Sequence, residues 1–250
     1  MDLWISLFLP FVLRLARIGA FFAVLPLFNW RALPMRLRAG IAVFASVFFG
    51  FVRPMAIDAA GVAPLQAGLL VIGEVLHGLA LGLAVSFLFL AVQQGARIMG
   101  LTMGLGDAGI IDPVTSETAR PLDRFFEVTF ALLFLAADGH HLFVLLVGKS
   151  YDVFPVGSPV NSGALAGALV TTGSAMLMLG LKLAAPLLAA FLILAVVLAI
   201  LARVLPEMNI LLTSFPLRVG LGLFMAAIIV SSLDAFTGEV ASWIERLLVA

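Results

Sequence analysis

Six long apolar stretches constrain this chain more than any other feature of its sequence. They run over residues 3–25, 39–57, 65–100, 125–147, 164–204 and 210–236. A bilayer core about 30 Å thick needs roughly 20 apolar residues per helical span, so these stretches have the length of membrane crossings. Only 11% of the residues are charged, against about 25% in soluble domains. The pattern predicts an all-α, polytopic membrane protein without a separate soluble domain.

Charge and cysteine content exclude several classes of partner and site. The 14 basic residues balance the 14 acidic ones, which gives no electrostatic basis for binding nucleic acid. The sequence has no cysteine, so it offers neither a disulfide nor a thiolate metal site. The chain starts with Met1 and Asp2 rather than a basic segment, and Arg14 interrupts the first apolar stretch. We therefore expect a retained first helix and not a cleaved signal peptide.

The apolar stretch over 164–204 is too long for one perpendicular crossing. As a helix it would measure about 60 Å at 1.5 Å per residue, twice the hydrocarbon thickness. Pro186 lies near its middle, where proline removes a backbone donor and clashes with the preceding turn. We expect this stretch to break, kink or leave the bilayer, as one arm of a kinked helical hairpin. The expected hinge and turn positions are Pro186, Pro206, Asn209 and Pro216.

Charged residues inside the apolar stretches are costly unless they meet counter-charges, water or carbonyl groups. Arg14 and Arg17 lie three residues apart and so on one helical face, and Glu74 is a candidate partner. Two interpretations stay open for them: a substrate pathway lined by arginine, or a buried assembly contact. We favour the buried contact and extend it to Lys182. Glu74 and His77, also three apart, leave the proton relay of a small-solute or ion transporter as an alternative.

Glycine spacing predicts close helix packing at two places. Gly68, Gly73, Gly78 and Gly82 recur every four or five residues along one stretch. The pair at 163 and 167 repeats the four-residue spacing that lets helix backbones approach each other. We expect tight helix–helix contacts at both sets.

Two short motifs imitate ligand sites. Residues 148–150 read Gly-Lys-Ser like the end of a phosphate-binding loop, but that motif needs a glycine where this chain has Phe143. His140 and His141 are adjacent on a predicted helix and should point to different faces, so they should not share one metal ion. The sequence therefore predicts no nucleotide, metal or other cofactor site.

A third motif leaves an enzymatic alternative. Residues 104–107 read Gly-Leu-Gly-Asp and residues 151–152 read Tyr-Asp, the two patterns of intramembrane aspartyl proteases. Asp107 and Asp152 would then share a proton, as paired carboxylates do in such enzymes. The two motifs stand in the reverse of the usual order, so we rank this alternative below the others.

Residues spread in order along nearly the whole chain resemble one known family. They are Leu13, Arg14, Leu15, Arg17, Pro26, Pro34, Arg36, Arg38, Glu74, Gly78, Gly82, Gly100, Met103, Gly104, Leu105, Asp112, Pro113, Phe134, Gly139, His140, Phe154, Pro155, Gly157, Pro186, Arg203, Pro206, Asn209 and Pro216. Through their order and spacing the chain resembles the flagellar biosynthetic protein FliR family, the export-gate subunit of type III secretion. The injectisome homologue of SctT type is the close relative.

The resemblance implies an all-α fold of long kinked helices and helical hairpins, similar to a fusion of the two smaller export-gate subunits. Residues 1–157 would correspond to the larger of these subunits and residues 158–236 to the smaller. The residue pattern itself predicts an amphipathic tail over 237–250, with Val240 and Ile244 on its apolar face. All three parts would form one integrated membrane domain.

The resemblance also implies a structural, non-enzymatic subunit of the flagellar protein-export gate, without a cofactor. One copy would assemble with five copies of one small membrane protein and four of another, together with the export switch protein and a housing ring. Unfolded export substrates would cross the resulting pore. The complex would lie in the bacterial inner membrane at the flagellar basal body, raised toward the periplasm. The homologous gate of a virulence injectisome is the nearest alternative.

The family resemblance assigns a pore plug to one connector. It comprises Met103, Gly104, Leu105, Gly106, Asp107, Ala108, Gly109, Ile110, Ile111, Asp112 and Pro113. Its glycines would give the backbone the freedom that a moving gate requires. An ordinary flexible loop is the alternative interpretation.

Overall fold

Helices make up all the regular structure in the described part of the chain, and no strand occurs there. The computed structural model describes residues 2–26, 34–52, 63–105, 121–205 and 210–247. The helices are α1 (Asp2–Val24), α2 (Met35–Val52), α3 (Pro64–Met103), α4 (Pro121–Ala136), α5 (Gly139–Val153), α6 (Ser162–Val204) and α7 (Ile210–Leu247). The predicted all-α class is confirmed.

Several of these helices have the length and composition of membrane spans. Four qualify, namely α2, α3, α6 and the part of α7 over Ser214–Arg246, and a fifth is added if the broken pair α4–α5 counts as one span. The predicted polytopic membrane protein is therefore confirmed. The expected division at residue 157 into two partner-like parts stays a prediction.

The stretch over 125–147, expected as one helix, is two. α4 ends at Ala136 and α5 begins at Gly139. Between them Asp138 has a φ of +58°, a left-handed conformation that aspartate tolerates better than most residues. A right-handed helix cannot continue through such a residue, so the prediction of a single helix is wrong at this point.

α6 runs unbroken from Ser162 to Val204 with Pro186 inside it. Of the outcomes expected for this stretch, a break therefore does not occur. Asn161 begins the helix by accepting a hydrogen bond from Ala164 N–H at its Oδ1, 3.1 Å away, as an N-cap residue does. Pro216 likewise lies inside α7. The expected turn at 206–209 lies outside the described residues.

The described helices group into two compact units. Unit 1 comprises Met1–Phe87, Gly139–Gly173 and Ser242–Ala250. Its core holds α1 against α2, and Phe21 of α1 meets Phe143 of α5 with ring centroids 6.3 Å apart. Edge-to-face aromatic contacts of this kind add to the stabilisation from burial alone.

Unit 2 comprises Leu88–Asp138 and Ser174–Ala241. Its core is an aromatic cluster in which the ring of Phe89 on α3 lies 5.0 Å from that of Phe134 and 5.2 Å from that of Phe130, both on α4. Phe130 in turn lies 6.2 Å from Phe236 of α7. Three helices of unit 2 are thus joined through four phenylalanines.

Close helix packing occurs at some of the predicted glycines and not at others. A Cβ on Gly78 would overlap the backbone carbonyl of Arg17, and a Cβ on Gly82 would lie 2.9 Å from the carbonyl oxygen of Phe21. α1 and α3 therefore cross almost backbone to backbone. Gly68 and Gly167 have no atom within 4 Å of a built Cβ, so within the described chain they make no close contact.

Candidate functional site

A cluster of buried polar side chains lies inside unit 1. Arg17 of α1, Glu74 and His77 of α3, and Ser150 and Tyr151 of α5 are all buried, and we call them the buried polar cluster. Arg17 and Glu74 each keep 1% of their surface exposed. Burial this complete requires that each charge be neutralised and hydrogen-bonded.

Arg17 and Glu74 form a direct ion pair that is tied to the backbone on both sides. Arg17 Nε lies 2.6 Å from Glu74 Oε2, and Glu74 Oε1 accepts the N–H of Gly157 at 2.8 Å. Arg17 Nη1 donates to the carbonyl oxygens of Ser150 at 3.2 Å and Phe154 at 2.8 Å. One ion pair therefore fixes α1, α3, the end of α5 and the turn after it.

The turn after α5 depends on a glycine at this site. Gly157 has a φ of +80°, a conformation that residues with a Cβ adopt only at a cost. In this conformation the N–H of Gly157 donates to Glu74 Oε1. Glu74 lies 83 residues before Gly157 in the chain, so no local sequence pattern indicates this turn as its partner.

Aromatic rings complete the cluster. The guanidinium carbon of Arg17 lies 4.4 Å from the ring centroid of Tyr151, within range of a cation–π contact. The ring of His77 lies 4.9 Å from that of Phe154. Within the described part of the chain, Arg17 Nη2, both ring nitrogens of His77 and the Tyr151 hydroxyl make no hydrogen bond of normal geometry.

The described residues of this cluster do not form a direct proton relay. Both carboxylate oxygens of Glu74 are engaged, one by Arg17 and one by Gly157, and no hydrogen bond joins Glu74 to His77 in the described structure. A relay needs a continuous series of donors and acceptors, as in pumps and transporters. The cluster instead has the character of a fixed brace between helices.

The other two predicted buried charges differ from each other. Arg14 is buried, and its Nη1 lies against Gly50 of α2, 3.1 Å from a built Cβ. Lys182 is 60% exposed and pairs with Glu239 of α7 at 2.7 Å. Within this chain Lys182 is therefore not buried, because its long side chain reaches outward to a carboxylate on the neighbouring helix of unit 2. Its assembly contact with another subunit stays a prediction.

The expected plug connector begins with a rigid helix end. Gly104 has a φ of +79°, its N–H donates to Leu101 O, and Leu105 N–H donates to Gly100 O, each at 3.0 Å. This pair of hydrogen bonds is the Schellman motif that closes a helix with glycine in the left-handed conformation. Gly104 thus serves to end α3 here. Residues 106–113 lie outside the described residues.

Met103, the first residue of the connector, is an anchor rather than a mobile group. Its side chain is completely buried and lies against α7, where a Cβ on Gly222 would overlap it. Both residues belong to unit 2. A change to the plug that preserves the fold should therefore begin after residue 105.

Replacing Gly104 by alanine should lower the free energy of unfolding by about 1–2 kcal/mol, the cost of the left-handed conformation for a residue with a Cβ. Thermal unfolding of the purified chain in detergent measures this change. Gly220→Ala is the matched control, because no atom of the described residues lies within 4 Å of its built Cβ and alanine favours the helix. Equal melting temperatures for the two variants would contradict the assignment of Gly104 as a helix cap.

The remaining motifs take up other positions. The rings of His140 and His141 lie 4.2 Å apart at the start of α5, so the prediction that adjacent histidines point to different faces is wrong here. Both are exposed, and the absence of a metal site stays a prediction. Asp152 is exposed on α5, while Asp107 lies outside the described residues, so the proposed carboxylate pair is not described.

Comparison with known proteins gives consistent matches over most of the chain. The sequence model of the family described as bacterial export proteins, family 1, matches residues 8–242. The flagellar biosynthetic protein FliR of Escherichia coli (strain K12) is 30% identical over 246 residues, which cover 98% of this chain and 93% of that protein. The protein of the same name from Bacillus subtilis (strain 168) is 31% identical over 233 residues, covering 91% and 88%.

Proposed function

Because the chain belongs to the bacterial export proteins, family 1, we propose that it helps form the pore through which unfolded flagellar proteins cross the inner membrane. The relatives named FliR span nearly its whole length, and that match is the observation that carries the function. The chain is a subunit of the flagellar type III export apparatus and an integral membrane protein. It acts as a structural part of the export gate and not as an enzyme.

The length of α6 supports assembly with partner subunits. Its 43 residues measure about 65 Å, whereas a helix tilted by about 40° needs only about 40 Å of its length to cross a hydrocarbon core about 30 Å thick. Exposed apolar side chains occur in both halves, for example Val170 and Leu177 in the first and Leu192 and Ile193 in the second. The half that leaves the bilayer therefore needs cover from other protein chains.

The partners we propose are those that family membership implies. They are the two smaller membrane subunits of the export gate, in five and four copies to one copy of this chain, with the export switch protein and the housing ring beside them. The assembly would lie at the flagellar basal body and be raised toward the periplasm. Its substrates would be unfolded flagellar proteins.

The buried polar cluster would serve this assembly as an internal brace. It ties three helices of unit 1 and the turn at 154–157 into one body, so that the surfaces facing neighbouring subunits keep a fixed shape. A transporter would need a mobile, hydrated charge pathway, and a protease would need two carboxylates in contact. Neither alternative has a supporting contact among the described residues.

The plug assignment predicts a specific phenotype. Replacing residues 106–112 by a shorter glycine-serine segment should let ions leak through the inner membrane while part of flagellar protein export remains. Starting at 106 preserves the Gly104 cap and the burial of Met103. Membrane potential and secreted hook and filament protein are the two measurements.

An equally shortened replacement within 54–60 is the control for this loop change. It should leave the membrane potential unchanged, since the family resemblance assigns no gating role to that connector. Normal potential and normal export in the 106–112 variant would show that this connector is an ordinary loop. The pore function itself would then be tested separately, by deletion of the gene.

A further inference from the structure

Three side chains that can ligate a metal ion lie together at the break between α4 and α5. They are Asp138, His140 and His141, and all three are exposed. One ligand atom from each residue, a carboxylate oxygen or an imidazole nitrogen, lies within 4.8 Å of the other two. The three residues belong to one four-residue segment of the chain, so the local backbone sets their proximity.

The start of α5 explains why the two histidines meet. They follow Gly139 in the first turn of the helix, where no preceding helical turn restricts the choice of χ1. Adjacent side chains diverge around a regular helix, and that rule predicted separate faces for this pair. The two rings instead lie side by side, with centroids 4.2 Å apart. The ground on which the sequence predicted no shared metal ion is therefore absent from the structure.

Asp138 supplies the third donor from the residue at which the helix breaks. Its φ of +58° is left-handed, and it precedes His140 by two residues. Aspartate and asparagine are the residues other than glycine that visit this conformation most readily. The backbone at this position therefore accommodates both, but only aspartate adds a negative charge beside the two imidazoles.

The donor set and its dimensions select the class of ion. Zinc binds imidazole nitrogen and carboxylate oxygen at about 2.0–2.2 Å, so two donors on one ion lie at most about 4 Å apart. Donors within 4.8 Å of one another reach that arrangement through small rotations of exposed side chains. Imidazole suits zinc, nickel and copper, whereas calcium and magnesium take oxygen ligands. Two imidazoles and one carboxylate are also a known set of zinc ligands.

We propose that Asp138, His140 and His141 bind one divalent transition metal ion, and that Zn²⁺ fits the site. Two imidazole nitrogens and one carboxylate oxygen are its protein ligands, and water completes the coordination because the site is exposed. The bound ion holds residues 138–141 in the conformation described, since its ligands lie on both sides of Gly139. The proposal does not depend on the pore, so either can fail while the other stands.

Calorimetric titration of Zn²⁺ into the full chain, purified in detergent without a polyhistidine tag, tests this proposal. We expect one Zn²⁺ per chain and no competition from Mg²⁺ at equal concentration. Asp138→Asn and the double variant His140→Gln/His141→Gln should each weaken binding by at least about tenfold, the cost of losing even an outer partner of a metal site. Asp152→Asn is the matched control, because it removes another exposed carboxylate from α5 and should bind Zn²⁺ normally.

Thermal unfolding separates loss of the site from loss of the fold. Saturating Zn²⁺ stabilises a chain that binds it only when folded, so it should raise the melting temperature of the natural chain and of Asp152→Asn but not of the ligand variants. Without zinc, Asp138→Asn should melt like the natural chain, because asparagine tolerates the left-handed conformation. Undetectable binding by the natural chain, or full binding by either ligand variant, would overturn the proposal. Competition by Mg²⁺ would overturn it too, because it would indicate carboxylates alone as ligands.

Discussion

Replacing Arg17 by leucine should destabilise the chain by about 3–5 kcal/mol, because Glu74 would be left as a buried carboxylate without a cation. Both groups are 1% exposed, so water cannot replace the lost partner. The loss of the donor to Ser150 and Phe154 carbonyls adds to the effect. Glu74→Gln should have a similar cost, since it leaves the Arg17 guanidinium unneutralised.

The double variant Arg17→Leu/Glu74→Leu separates charge pairing from packing. Its cost should be smaller than the sum of the single costs, with a coupling within the range of about 0.5–3 kcal/mol seen for contacting residues. The measurements are chain abundance in membranes and thermal unfolding of the purified chain in detergent. Additive costs would mean that the two side chains do not act as a pair.

The chain contains its own control for this experiment. Lys182 and Glu239 form an ion pair of nearly the same length, 2.7 Å, but Lys182 is 60% exposed. Because exposed pairs are screened, Glu239→Gln should change stability by at most about 1 kcal/mol. Similar effects of Arg17→Leu and Glu239→Gln would contradict the structural importance of burial at Arg17.

Replacing Gly78 by valine should prevent the close crossing of α1 and α3. Even a Cβ at this position overlaps the backbone carbonyl of Arg17, and backbone cannot move aside as a flexible side chain can. Overpacking typically costs about 1–3 kcal/mol, and we expect the upper end or beyond because Arg17 itself is displaced from Glu74. The variant should accumulate poorly in membranes.

Gly68→Val is the matched control for Gly78. It lies ten residues earlier on the same helix, and no atom in the described part of the chain lies within 4 Å of its built Cβ. The two substitutions therefore add the same side chain with and without an opposing backbone. If both variants accumulate to the same level, the crossing at Gly78 is not as close as described.

The sequence predicts the fold class well because the features that decide it, apolar runs and few charges, are local in the chain. Helix-length apolar runs and scarce charge are sufficient for an all-α membrane protein, and the structure has helices in all six stretches. The break at Asp138 was missed, because a single left-handed residue does not interrupt the apolar pattern of 125–147. A break at Pro186 was one of three outcomes expected for α6, and it does not occur because a proline can be accommodated inside a long membrane helix.

The candidate site could be predicted only in part. Arg17 and Glu74 stood out because charges are rare in apolar stretches, and Gly78 stood out by its spacing. Three backbone partners could not be predicted: the carbonyl groups of Ser150 and Phe154 and the N–H of Gly157. Nearly every residue has such groups, and only the tertiary fold brings these three to Arg17 and Glu74. The exposure of Lys182 also depends on tertiary contacts, here on the position of Glu239.

Deletion of the gene from its own bacterium tests the central claim most directly, with hook and filament protein in the medium and swimming motility as readouts. Membership in the flagellar export apparatus predicts that deletion abolishes both and that the full chain restores both. Glu239→Gln should also restore them, whereas Arg17→Leu should not. Normal secretion and motility in the deletion strain would contradict the account.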